Sequence, residues 1–364
     1  MIESTLRNKL IARSLVSAGT RADWAVIHQK KQISLAFMGG SVTQAYANGS
    51  YIPNPYPKVI SEKLNALGFD ADFTVCADAG MDTLTGCLLS DEFVLSRNPD
   101  VVFLEYAINE TTLRHSAEHF ESLIRHLLQS ACRPTVCLLL MRNANDYSCA
   151  SFMRPMAEHY GLPCIDMREA LNQALDAEEI AWSDFADREG HPHQEGHLFL
   201  ADCVMNLFGE AFKAKTEFQP DLPLPEPWIS APFTDLRRIE TDRNSEEVTV
   251  PKDYPVSARP IQFFHPAWDI SPENGTWTMQ CRCRAIVIFY ETHFRPEFGS
   301  CKVLLDGKPV RHPLLEGGIL QTHTIYGWGN ARNIVLLNQT EPSDHTITME
   351  PIEKSVFLLC VAIQ

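Results

Sequence analysis

The chain lacks any run of about 18 apolar residues, so the sequence offers no membrane-spanning helix. Its first residues, Met1-Ile2-Glu3-Ser4-Thr5-Leu6-Arg7-Asn8-Lys9, lack the apolar stretch and small-residue cleavage site of a secretory signal. Positive charge is in short supply: 31 lysines and arginines stand against 46 aspartates and glutamates, a net charge of −15. Nucleic acid and anionic membrane surfaces both demand a basic footprint, so neither is expected as a partner. Internal repeats and low-complexity tracts are missing as well. The cysteines number 11, an odd count, and Cys137, Cys164 and Cys360 lie in apolar runs. That pattern fits reduced core thiols in a cytoplasmic protein and argues against a disulfide framework.

What is present is a 364-residue chain, 45% hydrophobic and 21% charged, the balance of a globular protein with room for two domains. Residues 1–214 alternate between short apolar runs and helical patterns. The runs are Ile33–Met38, Phe73–Ala77, Val101–Tyr106, Thr135–Met141 and Pro163–Ile165. Each is continuous rather than alternating, as expected of parallel strands buried on both faces. Helical patterns fall at Tyr56–Leu67, for a turn or two from Leu84, and at Ser116–Ser130, Ser148–Tyr160 and Gly196–Ala214. Repeated βα units predict a three-layer α/β domain with function at the C-terminal ends of the strands.

Residues 215–227, which include Gln219-Pro220-Asp221-Leu222-Pro223-Leu224-Pro225-Glu226-Pro227, read as a proline-rich linker. From 228 to 364 the helical period disappears. Runs at Ala285–Tyr290, Cys301–Leu305, Asn333–Leu337, Thr346–Met349 and Val356–Ile363, separated by turn signals, predict a β-sandwich of jelly-roll type.

Chemistry gathers at the ends of the N-terminal strands. Met38-Gly39-Gly40-Ser41-Val42-Thr43 follows the first run, and two glycines there let the backbone approach a ligand closely. Ala77-Asp78-Ala79-Gly80-Met81 follows the second run, and Ala107-Ile108-Asn109-Glu110 the third. Ala186-Asp187-Arg188-Glu189-Gly190-His191-Pro192-His193-Gln194-Glu195-Gly196-His197 precedes the last helix. A hydroxyl, an imidazole, a carboxamide and backbone N–H groups brought to one sheet edge are the set that acyl transfer needs. Ser41 would attack and His191 would take its proton. His193 and His197 read as structural, with His197 packed or capping in the first helical turn. No Gly-x-Ser-x-Gly surrounds Ser41, which sets aside the α/β-hydrolase nucleophile elbow.

These blocks resemble those of the SGNH (GDSL-like) hydrolases over roughly residues 24–212. Gly39-Gly40-Ser41-Val42-Thr43 is similar to the first block of that family, Asn109-Glu110 to its Asn-Asp block, and His191-Pro192 through Gly196-His197 to its last block. The resemblance implies Ser41 as nucleophile, His191 as base, and an oxyanion hole from the Ser41 N–H, Gly80 and Asn109, with no cofactor. Two departures stand out. The family's acid lies three residues before the histidine, where this chain has Arg188; Asp187, four before, is the first choice if a one-residue bulge lets it reach. Asp184, Glu189 and a Ser–His dyad without a side-chain acid stay open. The second block carries Asp82 and Thr83 where small residues or glycine often sit.

A hydrolase domain followed by a sandwich is also similar to the two-domain mannan acetylesterases of carbohydrate esterase family 17. That resemblance implies an O-acetylated oligosaccharide as substrate, best an acetylated manno-oligosaccharide. Trp268, Trp277, Tyr326 and Trp328 are then expected to stack on sugar rings, against the alternative that they fill the sandwich core. A rival reading has His191, His193 and His197 ligate a metal that activates water. Another makes the chain a non-catalytic carbohydrate-binding protein on a decayed hydrolase scaffold. Self-association into a homo-oligomer is left open by the sequence.

Overall fold

The computed structural model describes residues 3–47, 49–213, 223–241, 248–325 and 329–364. The chain divides into two units, Met1–Thr234 and Asp235–Gln364.

In the first unit the elements run α1 (Ser4–Ser14), β1 (Leu15–Ser17), α2 (Trp24–Gln29), β2 (Gln32–Gly39), α3 (Ser41–Gln44), β3 (Tyr46–Ala47), β4 (Ser50–Tyr51), α4 (Tyr56–Ala66) and β5 (Asp70–Ala77). They continue as α5 (Thr83–Phe93), β6 (Val101–Glu105), α6 (Arg114–Gln129), β7 (Thr135–Leu140), α7 (Ala150–Tyr160), β8 (Cys164–Asp166), α8 (Met167–Asp176) and α9 (Gln194–Lys213). Six strands form one sheet in the order β1-β8-β7-β6-β2-β5. Every neighbouring pair is parallel except β1 with β8. The central strand β6 is buried at every position, the environment its unbroken apolar run requires. Across the β2–β6 pair Phe37 stacks on Phe103 with ring centroids 4.9 Å apart.

This strand order positions the site. β2, the first parallel strand, lies between β5 and β6, the second and third, so the chain changes direction across it. A sheet of this kind opens a crevice at that reversal, beyond the C-terminal strand ends. The segments leaving β2, β5 and β6 there are Gly40–Ser41, Asp78–Met81 and Tyr106–Glu110.

The five expected strands and the expected helices are all present. Helices α1, α2 and α8 and the antiparallel edge strand β1 are additions. Helix α8 buries Met167, Ala170, Leu171 and Ala174, a one-faced spacing of three and four residues, and the Asp166 side chain accepts from Arg168 N at its start.

The proline-rich segment is only partly a connector. Residues 214–222 of it lie outside the described residues, but 223–234 belong to the first unit. Arg21 donates to Pro223 O, Arg125 to Pro225 O, and His159 Nε2 lies 2.9 Å from Glu226 O. The buried Glu121 carboxylate accepts from the successive N–H groups of Trp228, Ile229 and Ser230. The second unit therefore begins at Asp235 rather than Trp228, because an acidic side chain of α6 binds the strap after the prolines.

The second unit contains β9 (Arg237–Ile239), β10 (Val248–Thr249), β11 (Val256–Ser257), β12 (Ala267–Ile270), β13 (Trp277–Thr292) and β14 (Ser300–Leu305). It ends with β15 (Lys308–Pro309), β16 (Ile319–Gln321), β17 (Asn330–Glu353) and β18 (Val356–Ile363). The named strands pair antiparallel throughout, with β13 between β17 and β18. Along the first half of β13, buried Trp277, Met279, Cys281 and Cys283 alternate with exposed Thr278, Gln280 and Arg282. That period of two carries Trp277 inward. Trp268 and Trp277 are 2% and 0% exposed, and their rings pack 5.2 Å apart. Both are core residues and present no face to a sugar. Tyr326 and Trp328 lie outside the described residues. All 11 cysteines carry free thiols, and among the described residues no helix is long and apolar enough to cross a membrane.

Candidate active site

Strand β2 ends at Gly39, and Ser41 opens the single turn of α3. The glycine pair is a requirement of space. A Cβ on Gly39 would lie 2.5 Å from both Glu105 O and Thr43 Oγ1, and one on Gly40 would lie 2.5 Å from the Asn109 carboxamide oxygen and nitrogen. Removing both side chains lets the turn sit flat against the end of β6.

His191 reaches this turn from a loop 150 positions later. Its Nε2 lies 2.8 Å from Ser41 Oγ, and its Nδ1 lies 3.0 Å from Asp187 Oδ2. An ionised carboxylate can only accept, so Asp187 selects the tautomer with hydrogen on Nδ1 and leaves the Nε2 lone pair facing the serine hydroxyl. His191 and Asp187 side chains are each 22% exposed, open enough for a substrate yet shielded from bulk screening.

The loop explains how an acid four residues back can serve. Asp187 Oδ1 accepts from the backbone N–H groups of Glu189, Gly190 and His191 at 2.9, 3.0 and 2.9 Å. Gly190 takes φ +104°, a conformation that side chains rarely adopt, and this inserts the extra residue. Burial alone would raise the Asp187 carboxyl, but donors from the His191 backbone and ring outweigh it and hold the group below its usual value. Neither rival acid makes a hydrogen bond to the imidazole. Asp184 accepts from Ala181 N at its own short helix, and Glu189, 78% exposed, lies 3.9 Å from Nδ1.

Asn109 and Gly80 occupy the neighbouring strand ends. The Asn109 carboxamide packs against Gly40, and its Oδ1 is buried without a hydrogen-bond partner among the described residues. Gly80 sits at φ +71° in the turn closed by Met81 N donating to Asp78 O. Gln44 Nε2 donates to Asp78 Oδ1 at 2.7 Å and so ties α3 to that turn. Glu110 joins the Asn109 and Gly80 blocks by accepting from Thr83 N at 2.7 Å and from the Thr83 hydroxyl. Burial, with Asp82 nearby, pushes the Glu110 carboxyl up to about 7.

The three histidines of the metal reading do not converge. His197 points into the core, where its Nδ1 accepts from Tyr56 N at 3.3 Å and its ring stacks on Tyr56 at 5.9 Å. Burial drives its imidazole down to about 4, as a neutral core side chain. Among the described residues no group of three His, Cys, Asp or Glu side chains is placed to hold a metal.

Two sets of residues were not singled out from the sequence. One is the buried cluster of Thr43, Tyr56 and Glu105, in which Thr43 Oγ1 donates to Glu105 Oε2 at 3.0 Å and lies 2.9 Å from Tyr56 Oη. A glutamate ending the apolar run Val101–Leu104 was its available signal. The other is the pair Tyr46 and Tyr51 on the β3–β4 hairpin, 41% and 66% exposed. Strands of two residues carry no periodicity to read.

No protein-family model matches this chain, and neither does any curated protein. Among solved structures it is similar to a two-domain esterase (CEX) active on acetylated mannans, at 18% identity and a TM-score of 0.82, with 97% of each chain covered. A structure of a two-domain esterase (CEX) active on acetylated mannans, co-crystallized with mannopentaose, matches at 18% identity and a TM-score of 0.80, again with 97% of each chain covered. At this identity the likeness speaks for the architecture, a parallel α/β domain followed by an antiparallel β domain.

Proposed function

We propose that this protein is a serine esterase that removes O-acetyl groups from oligosaccharides through an acetyl-serine intermediate. The observation that carries the proposal is the continuous relay Asp187 Oδ2, His191 Nδ1, His191 Nε2, Ser41 Oγ at 3.0 and 2.8 Å. Ser41 Oγ attacks the acetyl carbonyl carbon while its proton passes to His191 Nε2. The resulting oxyanion is received by the Ser41 and Gly80 N–H groups and the Asn109 carboxamide. The C–O bond to the sugar then breaks, and the departing oxygen takes the proton from His191. Water repeats the sequence with His191 as base, releasing acetate and restoring the serine.

The choice of an acetylated sugar, with manno-oligosaccharides preferred, is supported by the match to the acetylated-mannan esterase along both domains. A soluble oligosaccharide in a reducing cytoplasm is in keeping with 11 free thiols. The test is acetate release from acetylated manno-oligosaccharides and from 4-nitrophenyl acetate, by wild type and Ser41→Ala, with and without chelator. Wild-type turnover that falls by at least about 10⁴-fold in Ser41→Ala and ignores chelator is the expected result. Turnover that survives the substitution sinks the serine mechanism, and none by wild type on either substrate sinks the esterase.

A further inference from the structure

Immediately after α3 the chain turns through Ala45, held at φ +60° with its N–H donating to Ser41 O, into the β3–β4 hairpin. Ile52 N donates back to Ala45 O at 2.8 Å and closes the hairpin base. Two residues further on, Asn54 N donates to Gln194 Oε1 at 3.1 Å, and Gln194 Nε2 donates to Asn54 O at 2.9 Å. Gln194 opens α9, three positions after His191. One end of the hairpin is thus pinned to the nucleophile and the other to the helix that follows the base. Helical rise over α3 plus one further step keeps the Tyr46 backbone within roughly 10 Å of Ser41.

Opposed across this hairpin, Tyr46 and Tyr51 pair in register, with ring centroids 5.1 Å apart at 71°. That edge-to-face contact braces each ring against the other. Neither ring enters the core of the domain, and both stay substantially in water. A single exposed aromatic side chain needs no explanation, but two paired rings on the hairpin that directly follows the turn of the reacting serine form a stiff apolar surface. Such a surface matches a pyranose ring, which presents C–H groups on its faces and hydroxyls around its rim.

We infer that Tyr46 and Tyr51 form a sugar-binding subsite that receives a pyranose unit of the oligosaccharide next to the unit whose acetyl group lies at Ser41. The inference rests on the esterase reading for its substrate, but the subsite binds the sugar whether or not the ester is cleaved. The stack needs the rings and not their hydroxyls. Discrimination between a glycan ester and a simple aryl ester then resides in this hairpin, while the bond-breaking groups are shared by both substrates.

The experiment measures binding of unacetylated mannopentaose by titration calorimetry to wild type, Tyr46→Ala, Tyr51→Ala and Tyr51→Phe. Turnover of acetylated manno-oligosaccharide and 4-nitrophenyl acetate is followed in parallel. Loss of one stacked ring is expected to weaken mannopentaose binding by about tenfold in each alanine variant. Tyr51→Phe should bind as wild type does. In turnover, the loss of kcat/KM on the oligosaccharide should exceed any loss on 4-nitrophenyl acetate by a similar factor. Wild type that fails to bind mannopentaose, alanine variants that bind it as wild type does, or equal losses on both esters would overturn the subsite. Failure of the esterase reading would show separately, as absent turnover by wild type with binding intact.

Discussion

Thr43 Oγ1 donates a 3.0 Å hydrogen bond to Glu105 Oε2 two residues past Ser41, and both side chains are buried. The backbone N–H groups of Thr43 and Gly40, on either side of the serine, also favour the ionised form of this carboxyl at the end of β6. Its other oxygen, Oε1, is buried without a partner among the described residues. Desolvation therefore dominates, and the Glu105 carboxyl is pushed up to about 8 from an ordinary 4.5.

Glu105 is expected to act as a positioning residue for the Ser41 turn. Glu105→Gln keeps an acceptor for Thr43, whereas Glu105→Ala takes the acceptor from the buried Thr43 hydroxyl and leaves a cavity. The alanine variant should lose about 3 kcal/mol of stability and about 100-fold in kcat with little change in KM, and the glutamine variant should recover most of both. Between pH 4.5 and about 8 the unfolded chain has released this proton while the folded protein keeps it, so rising pH favours unfolding. Wild type should lose stability relative to Glu105→Gln across that window. Denaturant unfolding of both proteins at its two ends checks the sign; a difference that is constant with pH would show that the carboxyl does not titrate there.

Asp187 carries two tasks on separate oxygens, which substitution can divide. Asp187→Asn retains Oδ1 for the three loop N–H groups but no longer fixes the His191 tautomer. Its kcat should fall by about 10³- to 10⁴-fold with the fold intact. Asp187→Ala should add a loss of stability, because the loop donors lose their acceptor. The lowered carboxyl contributes stability that is present above the ordinary carboxylate range and is lost as pH falls through its depressed value. Thermal unfolding against pH should therefore show the advantage of wild type over Asp187→Asn disappearing in acid. Equal kcat in wild type and Asp187→Asn would assign the acid role to another group.

Much of the site was legible because its residues punctuate patterns. Ser41 and Asn109 each follow an apolar run that could only be a buried strand, and His191 precedes a helix whose apolar period is plain. Asp187 was harder to place, since the spacing of residues does not reveal the Gly190 conformation that accompanies its 3.0 Å approach to His191 Nδ1. The burial of Trp268 and Trp277 escaped the sequence for a different reason. Alternation of Trp277, Met279, Cys281 and Cys283 with polar residues marks one face of a strand, but which face meets the core depends on pairing with distant β17. Glu121 was hidden in α6 because its partners are the Tyr160 hydroxyl and three backbone groups more than a hundred residues away.

The glycine pair supplies the sharpest test of the oxyanion geometry. Gly40 has φ −93°, outside the left-handed region, so the main effect of Gly40→Ala is a steric one. The new methyl meets the Asn109 carboxamide at 2.5 Å, and a side chain can give way where backbone cannot. The variant should fold with a stability loss of about 1 kcal/mol, yet displacement of Asn109 should lower kcat by about 100-fold. If the damage passes through Asn109, Gly40→Ala should cost little more once Asn109 is alanine. A double-mutant cycle on kcat/KM measures this directly, and the two losses should be strongly non-additive. Additive losses would mean that Gly40 acts on Ser41 itself, and that the carboxamide contributes independently of the turn it touches.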